Sequence, residues 1–106
     1  MLSMNSLNDY KYFTTDLCRY KGWDKVNVNT VWLLLTEEFG ELASAIRQQQ
    51  RTYKKSGLKK NKGIDVQMEM ADVFSYLFQL AGMLDVDLDE MWEKHKKKVV
   101  QRKYIT

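Results

Sequence analysis

The apolar residues of this 106-residue chain recur at helical spacing along nearly its whole length, and no proline interrupts them. Proline is the residue that helix interiors tolerate least, and glycine, the next least tolerated, occurs only five times. No run of alternating apolar and polar residues, as a half-buried strand would show, stands out. These features together predict an all-α fold.

We predict four helices from this spacing, at residues 6–20, 29–51, 65–84 and 88–102. Asn29 is the expected cap of the second helix. Short connections on either side of the third and fourth helices favour an antiparallel four-helix bundle. A chain of this length is most simply a single domain, so we expect one domain over the whole chain.

The ends and faces of these helices give three further expectations for residues 1–106. Asp87 is the predicted cap of the fourth helix. The lysine- and glycine-rich segment 52–63 is the main connection, and we expect it to be mobile. The inward-facing residues of the first helix are expected to be Leu7, Tyr10, Phe13 and Leu17.

Composition excludes several kinds of site and location. Cys18 is the only cysteine and His95 the only histidine, so an internal disulfide and a zinc site built on cysteines or histidines are excluded. There is no run of about eighteen apolar residues and no secretory leader, which indicates a cytoplasmic protein that does not enter a membrane. The net charge of +3, with fourteen acidic residues, is small for a nucleic-acid-binding protein.

The segment TEEFGE, residues 36–41, places acidic residues where a helix should be apolar. Glu38 and Glu41 fall within an apolar stripe of the second helix. The stripe consists of Val31, Leu34, Leu35, Leu42, Ala45 and Ile46. Burying an ionised carboxylate without a partner costs on the order of several kcal/mol. These two acids therefore need a cation, a proton or a functional cavity.

The third helix repeats the pattern with Glu69 and Asp72. Residues three apart on a helix lie within about 60° of each other, so each acidic pair points to one side. If the second and third helices pack antiparallel, four carboxylates meet, and they repel one another unless a cation lies among them. An all-oxygen ligand set favours Mg²⁺, or Mn²⁺, over zinc. Either pair alone would be more typical of a solvated helix face.

The motif EEFGE at 37–41, followed by EMAD at 69–72, resembles the MazG-like, all-α nucleoside triphosphate pyrophosphohydrolase superfamily. That superfamily is marked by an EExxE helix and a later ExxD helix, and the GW at 22–23 and the basic C-terminal helix ending in RKY are also similar to its pattern. The resemblance implies a MazG-like bundle that forms a homodimer or homotetramer. It further implies hydrolysis of a nucleoside triphosphate, preferably a dNTP, to the monophosphate and pyrophosphate, as a house-cleaning enzyme of the nucleotide pool.

The resemblance also assigns roles to individual residues of this sequence. The implied Mg²⁺ ligands are Glu38, Glu41, Glu69 and Asp72, and either Glu38 or Glu37 would orient or deprotonate the attacking water. The implied substrate contacts are Tyr76, Trp23, Lys94, Lys98 and Arg102. The three basic residues share one side of the fourth helix, which is equally typical of a solvated face.

Two other functions stay open on the sequence. The same acids could serve a phosphoribosyl-ATP pyrophosphohydrolase, and the lysine clusters and aromatic residues could form a non-catalytic, nucleic-acid-binding helical module. Base preference is also open. Relatives that act on deoxycytidine triphosphate carry a tryptophan seven residues after the last acid of the first motif, where this chain has Gln48.

Overall fold

The computed structural model describes the backbone of residues 5–55 and 65–102, and the side chains of 5–51 and 65–102. These residues form four α-helices, α1 (Leu7–Lys21), α2 (Val28–Lys55), α3 (Val66–Met83) and α4 (Leu88–Gln101), and a 3₁₀ turn spans Trp23–Lys25. No strand occurs in the two described ranges, which confirms the all-α prediction.

The helices are distributed over two compact units. The described residues of the first unit are 5–25 and 78–102, and those of the second are 26–55 and 65–77. The first unit therefore contains α1, the 3₁₀ turn, the last residues of α3 and all of α4. The second unit contains α2 and most of α3, which carry the two acidic motifs.

Side chains close both ends of α1. Ser6 is the N-cap: its hydroxyl accepts a hydrogen bond from the Asp9 amide, and the Asp9 carboxylate accepts one from the Ser6 amide, each at 3.2 Å. Gly22 ends the helix with φ of 76°, in the left-handed region where glycine has no steric penalty. Its amide donates to the Arg19 carbonyl at 3.1 Å.

The cap of α2 differs from the predicted one, whereas the cap of α4 does not. Asn27, rather than Asn29, accepts a hydrogen bond from the Thr30 amide through its side-chain oxygen, at 2.8 Å. The prediction of Asn29 was wrong because both asparagines precede the same apolar run, and sequence alone does not show which side chain reaches an amide three residues on. Asp87 caps α4 as predicted, accepting from the Glu90 amide at 3.0 Å.

α2 is also longer than predicted. The helix continues past Arg51 to Lys55. There is no glycine or proline between Arg51 and Gly57, so the lysines of this segment extend the helix instead of ending it. The remaining part of the predicted connection, residues 56–63, lies outside the described residues.

In the first unit, α1 and α4 are joined by hydrogen bonds at their N-terminal ends. The Leu7 amide donates to Asp89 Oδ1 at 3.0 Å, and the Leu88 amide donates to Asn8 Oδ1 at 2.8 Å. The Asn8 side chain also donates to Asp87 Oδ1 at 2.9 Å. Each helix thus satisfies one of the free amides at the start of the other, which an isolated helix would leave to water.

The predicted inward face of α1 is found only in part, since Leu7 and Leu17 are half-buried but the other two residues are not. Tyr10 and Phe13 are about half exposed, although the Tyr10 ring stacks on Phe78 at 5.9 Å between centroids. The buried side chains of α1 are Lys11, Thr14 and Cys18. Lys11 is accommodated because its aliphatic stem packs inside while its ammonium group donates to the Val86 carbonyl at 2.7 Å.

The second unit has a small core on α2 and α3. Val31 and Leu35 of α2 are fully buried, and Ala45 and Val73 are nearly so. Ile46, predicted in the same stripe, is exposed. Among the described residues, no helix combines the length and apolar character that crossing a membrane requires.

Candidate metal centre

The acidic motifs of α2 and α3 come together within the second unit. One carboxylate oxygen each from Glu38, Glu41 and Glu69 forms a group whose members all lie within 4.8 Å of one another. Glu38 and Glu41 are neighbours on α2 because three residues nearly complete a helical turn. Glu69 belongs to a different helix, so its position beside them depends on the packing of α3 and not on local sequence.

Two oxygens of these carboxylates are shielded from water and have no hydrogen-bond partner. They are Oε2 of Glu38 and Oε2 of Glu69, and no donor in the described part of the chain reaches either. Buried polar atoms are nearly always hydrogen-bonded, so unpaired ones need a specific explanation. A cation between the carboxylates is the simplest explanation for two shielded acceptors that have no donor.

The electrostatics of Glu38 reflect this arrangement. Burial first, and then the negative charges of Glu41 and Asp72, raise the pKa of Glu38 from 4.5 to about 7. A carboxylate hydrogen bond with Glu41 and the charge of Glu69 act in the same direction. Without a cation, Glu38 of the folded chain therefore stays protonated at pH values well above those at which carboxyl groups usually ionise.

Glu69 is affected in the same way. Burial, followed by the charges of Glu41 and Asp72, raises the pKa of Glu69, and Asp65 contributes a smaller repulsion. Asp65 also caps α3, because its carboxylate accepts from the Met68 amide at 3.1 Å. The sequence interpretation gave Asp65 no role at the site, although its spacing of four residues from Glu69 places the two on one side of the helix.

The remaining acids of the motifs lie at the edge of this group. Asp72 is exposed and is not one of the three residues within 4.8 Å, but its charge acts on both Glu38 and Glu69. Glu37 is exposed on α2. It projects about 100° away from Glu38 around the helix.

The aromatic residues expected to contact substrate lie on different elements. Tyr76 is half-buried on α3, one turn after Asp72, and belongs to the second unit. Trp23 is exposed in the 3₁₀ turn of the first unit, where the ammonium group of Lys21 lies 5.8 Å from the centre of its ring.

The three basic residues expected at the phosphates all belong to the first unit. Lys94 forms an ion pair with Glu90 at 2.8 Å, and that hydrogen bond raises the pKa of Lys94. Lys98 and Arg102 are exposed, and the Arg102 amide donates to the Lys98 carbonyl at the end of α4. The acidic partner of Lys94 thus lies one turn away on the same helix.

The donor set suits a hard divalent cation. Carboxylate oxygens are the ligands that Mg²⁺ and Mn²⁺ prefer, and neither the only cysteine nor the only histidine of the chain is among them. The shielded oxygens of Glu38 and Glu69 supply unused acceptors, and the raised pKa values of both groups indicate negative charge that a cation would compensate. The residues present therefore fit a bound divalent metal ion.

Comparison with protein families places most of the chain in a known family. The model of the MazG nucleotide pyrophosphohydrolase domain matches residues 27–105, which is most of the chain. The chain belongs to the MazG family. The match begins at Asn27, the cap of α2, so the MazG region contains α2, α3 and α4, and α1 precedes it.

Membership in the MazG family relates the acidic group to a reaction class, since the family is one of nucleotide pyrophosphohydrolases. The acids of both motifs lie inside the matched region, on the two helices of the second unit. A search of curated proteins and a search of solved structures found no match to the chain.

Proposed function

We propose that this MazG protein is a Mg²⁺-dependent nucleoside triphosphate pyrophosphohydrolase that cleaves between the α and β phosphates. The products are the nucleoside monophosphate and pyrophosphate, with dNTPs as the preferred substrates. The observation that carries the proposal is the group of three carboxylates from two helices, two of them with shielded and unpaired oxygens, in a chain of this family.

In this proposal Glu38, Glu41, Glu69 and Asp72 hold the metal ion. Bound Mg²⁺, or Mn²⁺ in its place, would supply charge neutralisation at the phosphates and lower the pKa of a water molecule. The protein's own task is to fix the carboxylates in position and to orient the water. The carboxylate of Glu38 or Glu37 serves as the general base that accepts a proton from that water.

Further residues are proposed to contact the substrate. Tyr76, half-buried one turn after Asp72, is proposed to contact the nucleoside. Trp23 and the basic residues Lys94, Lys98 and Arg102 are proposed as further contacts to the nucleotide on the family resemblance. We also propose that the whole chain, residues 1–106, acts as one domain, in the cytoplasm, as a homodimer or homotetramer that removes unwanted nucleotides.

The test is to incubate the protein with Mg²⁺ and a panel of dNTPs, NTPs and phosphoribosyl-ATP, and to separate pyrophosphate from orthophosphate. We expect pyrophosphate and a monophosphate in equal amounts, and no turnover after the metal is removed with a chelator. Orthophosphate as the direct product would contradict the proposed bond cleavage. Turnover of phosphoribosyl-ATP alone would mean that the protein is a phosphoribosyl-ATP pyrophosphohydrolase and does not act on nucleoside triphosphates.

Matched variants connect the activity to the acidic group. Glu41→Gln and Glu69→Gln each remove a ligand charge with almost no change of shape, and we expect each to abolish Mg²⁺-dependent turnover while the helical circular dichroism is kept. Glu93→Gln is the control, because Glu93 is an exposed acid of α4 that pairs with Lys96. Full activity in Glu41→Gln or Glu69→Gln would remove the acidic group from the mechanism.

A further inference from the structure

The three acids of the candidate metal centre are held in place with unequal firmness. Glu38 and Glu41 lie in the interior of α2, well away from both ends of the helix. Leu35 is fully buried one turn before Glu38, and Ala45 is buried one turn after Glu41. Buried side chains on both sides of the two acids fix this part of α2, because local opening there would expose them to water.

Glu69, in contrast, lies at the beginning of its helix. It is the fourth residue of α3, which starts at Val66. Of the described residues 66–72, none is buried, and the first buried side chain of the helix is Val73. The first turn of a helix frays unless packing or a cap holds it. Glu69 is therefore the acid of the group whose position depends most on the hydrogen bonds at a helix end.

Asp65 supplies the acceptors of two hydrogen bonds at this helix end. Its carboxylate accepts from the Met68 amide, and its main-chain carbonyl accepts from the Glu69 amide, each at 3.1 Å. The second bond is the first one of the α-helical pattern, and the first bond satisfies an amide that has no partner inside the helix. Asp65 thus closes the turn that ends at Glu69.

The charge of Asp65 has a smaller effect on Glu69 than its hydrogen bonds. Burial, and then the charges of Glu41 and Asp72, raise the pKa of Glu69 more than the charge of Asp65 does. Asp65 is exposed, so water and salt screen its charge. It is also not among the three residues whose oxygens lie within 4.8 Å of one another. Its main effect on Glu69 is therefore to fix the backbone.

We propose that Asp65 is a positioning residue of the metal centre, whose carboxylate keeps the first turn of α3 closed and so holds Glu69 beside Glu38 and Glu41. Asp65 itself does not contact the cation. The proposal rests on the part of the proposed function in which these acids bind a divalent ion. Opening of the turn weakens binding in proportion to its population, because only the closed form brings the three acids together.

Binding of Mn²⁺ alone measures this effect without substrate or turnover. Electron paramagnetic resonance detects free Mn²⁺, and its signal falls as the ion binds to the full chain. We expect Asp65→Ala to raise the dissociation constant for Mn²⁺ by about threefold to tenfold, since loss of an N-cap shifts the equilibrium of the first turn by about that factor. An unchanged dissociation constant would overturn the proposal.

Asp65→Asn separates the cap from the charge. Asparagine caps helices about as well as aspartate but is neutral. We expect Asp65→Asn to keep the dissociation constant for Mn²⁺ within about twofold of the wild-type value. Equal weakening by Asp65→Asn and Asp65→Ala would mean that Asp65 acts through its charge, and the positioning role would fail.

Ser6→Ala is the matched control for the loss of a helix cap. Ser6 is the N-cap of α1, where its hydroxyl accepts from the Asp9 amide at 3.2 Å, and α1 carries none of the acids of the metal centre. We expect this variant to lose stability as Asp65→Ala does but to bind Mn²⁺ like the wild type. If both variants weaken Mn²⁺ binding equally, overall stability governs the affinity and the proposal is wrong.

Hydrogen exchange of the metal-free protein reports on the first turn of α3 directly. We expect the Met68 and Glu69 amides to exchange about threefold to tenfold faster in Asp65→Ala than in the wild type. The amides of Glu38 and Glu41 should keep their wild-type rates, because they belong to the interior of α2. Unchanged exchange of the Met68 and Glu69 amides would show that the Asp65 carboxylate does not hold this turn.

These results can be separated from the test of the reaction. Weaker Mn²⁺ binding by Asp65→Ala, in a protein that releases no pyrophosphate from any nucleotide, would support the role of Asp65 and contradict the proposed reaction. An active wild type whose Mn²⁺ binding is the same after Asp65→Ala would do the reverse. A wild type that binds no Mn²⁺ would contradict both proposals. Circular dichroism of each variant distinguishes a local change at α3 from loss of folding.

Discussion

Glu38 on α2 and Glu69 on α3 each bury one carboxylate oxygen that receives no hydrogen bond from the residues the structure describes. The two acids are brought together by helix packing, and Glu41 completes their group. In the absence of a cation, this arrangement opposes folding at neutral pH, because three negative charges are held close together and partly out of water. Two predictions follow from that opposition.

The first concerns the pH dependence of the metal-free protein. The pKa of Glu38 is raised to about 7 in the folded state, while the unfolded chain has the ordinary value of 4.5. Between these values the folded state holds more protons, so the free energy of unfolding falls as the pH rises and is lowest above about 7. We expect the thermal midpoint of the metal-free protein to be clearly lower at about pH 8 than at about pH 5.

Glu38→Gln should remove most of the fall in stability with rising pH, because the amide is neutral at every pH. Glu37→Gln, an exposed acid one residue away, is the control and should follow the wild-type profile. The measurement is differential scanning calorimetry in the presence of a chelator. A Glu38→Gln protein that loses as much stability as the wild type would show that Glu38 is not repelled by its neighbours.

The second prediction concerns metal binding measured without turnover. A ligand that binds only the folded state, at about one hundred times its dissociation constant, adds about 2.7 kcal/mol to the free energy of unfolding. We therefore expect Mg²⁺ or Mn²⁺ to raise the thermal midpoint of the wild type at about pH 8. Glu69→Gln should lose this increase, whereas Glu93→Gln should keep it. An unchanged metal response in Glu69→Gln would exclude Glu69 as a ligand.

A third prediction uses two glycines in helices. A Cβ atom at Gly82 would lie 2.5 Å from Oγ1 of Thr15, whereas nothing lies within 4 Å of a Cβ at Gly40. Gly82→Ala should therefore destabilise the protein by about 1–3 kcal/mol. Gly40→Ala should stabilise it by about 0.5–1 kcal/mol, because alanine is the better helix former.

Chemical denaturation of both variants checks these signs. Thr15→Ala in the Gly82→Ala background removes the hydroxyl that the new methyl group would meet, so the double variant should recover part of the loss. Equal effects of Gly82→Ala and Gly40→Ala would mean that helix propensity alone determines the outcome.

A fourth prediction concerns the junction of α1 and α4. Asn8→Ala removes both the acceptor of the Leu88 amide and the donor to Asp87, and we expect a loss of about 1–2 kcal/mol. Asn29→Ala is the control, because Asn29 is exposed and does not act as the α2 cap. Urea denaturation gives the comparison, and equal losses in both variants would contradict a specific junction.

The same variant alters the response to acid. The hydrogen bond from Asn8 lowers the pKa of Asp87 below its ordinary 3.8, and the bond from the Glu90 amide acts in the same direction. This contribution to stability is complete above about 3.8 and is lost as the pH falls through the lower folded value. Asn8→Ala should therefore lose less stability than the wild type on acidification, as measured by circular dichroism.

Much of the fold was predictable because helix signals in this sequence are local. Four helices, the Asp87 cap and the inward direction of Glu38 and Glu69 follow from spacing along the chain. The face of α1 was predicted wrongly in part, because Lys11 lies about 100° from Tyr10 around the helix and the buried line runs through Lys11 instead of Tyr10. Hydrophobicity favours the tyrosine, whereas the structure buries the lysine, whose ammonium group reaches the Val86 carbonyl.

The candidate site was predictable only in part, for a similar reason. The pattern of acids indicates which residues point to one side of each helix, but the approach of Glu69 to Glu41 depends on contacts between helices. Asp72 illustrates the difference. It follows Glu69 by three residues, as Glu41 follows Glu38. Asp72 is nevertheless exposed, and it acts on the group through its charge and not by placing an oxygen within 4.8 Å of the others.

The hydrogen bonds between α1 and α4 join residues that are 79, 80 and 82 positions apart in the chain. During synthesis these partners leave the ribosome far apart in time, so the first amide of α1 has no acceptor on α4 until Asp89, 82 positions later, has been made. α2 and the start of α3 emerge earlier and can begin to associate while α4 is still being made. α4, which is made well after α1, thus supplies the carboxylate that accepts from the first amide of α1.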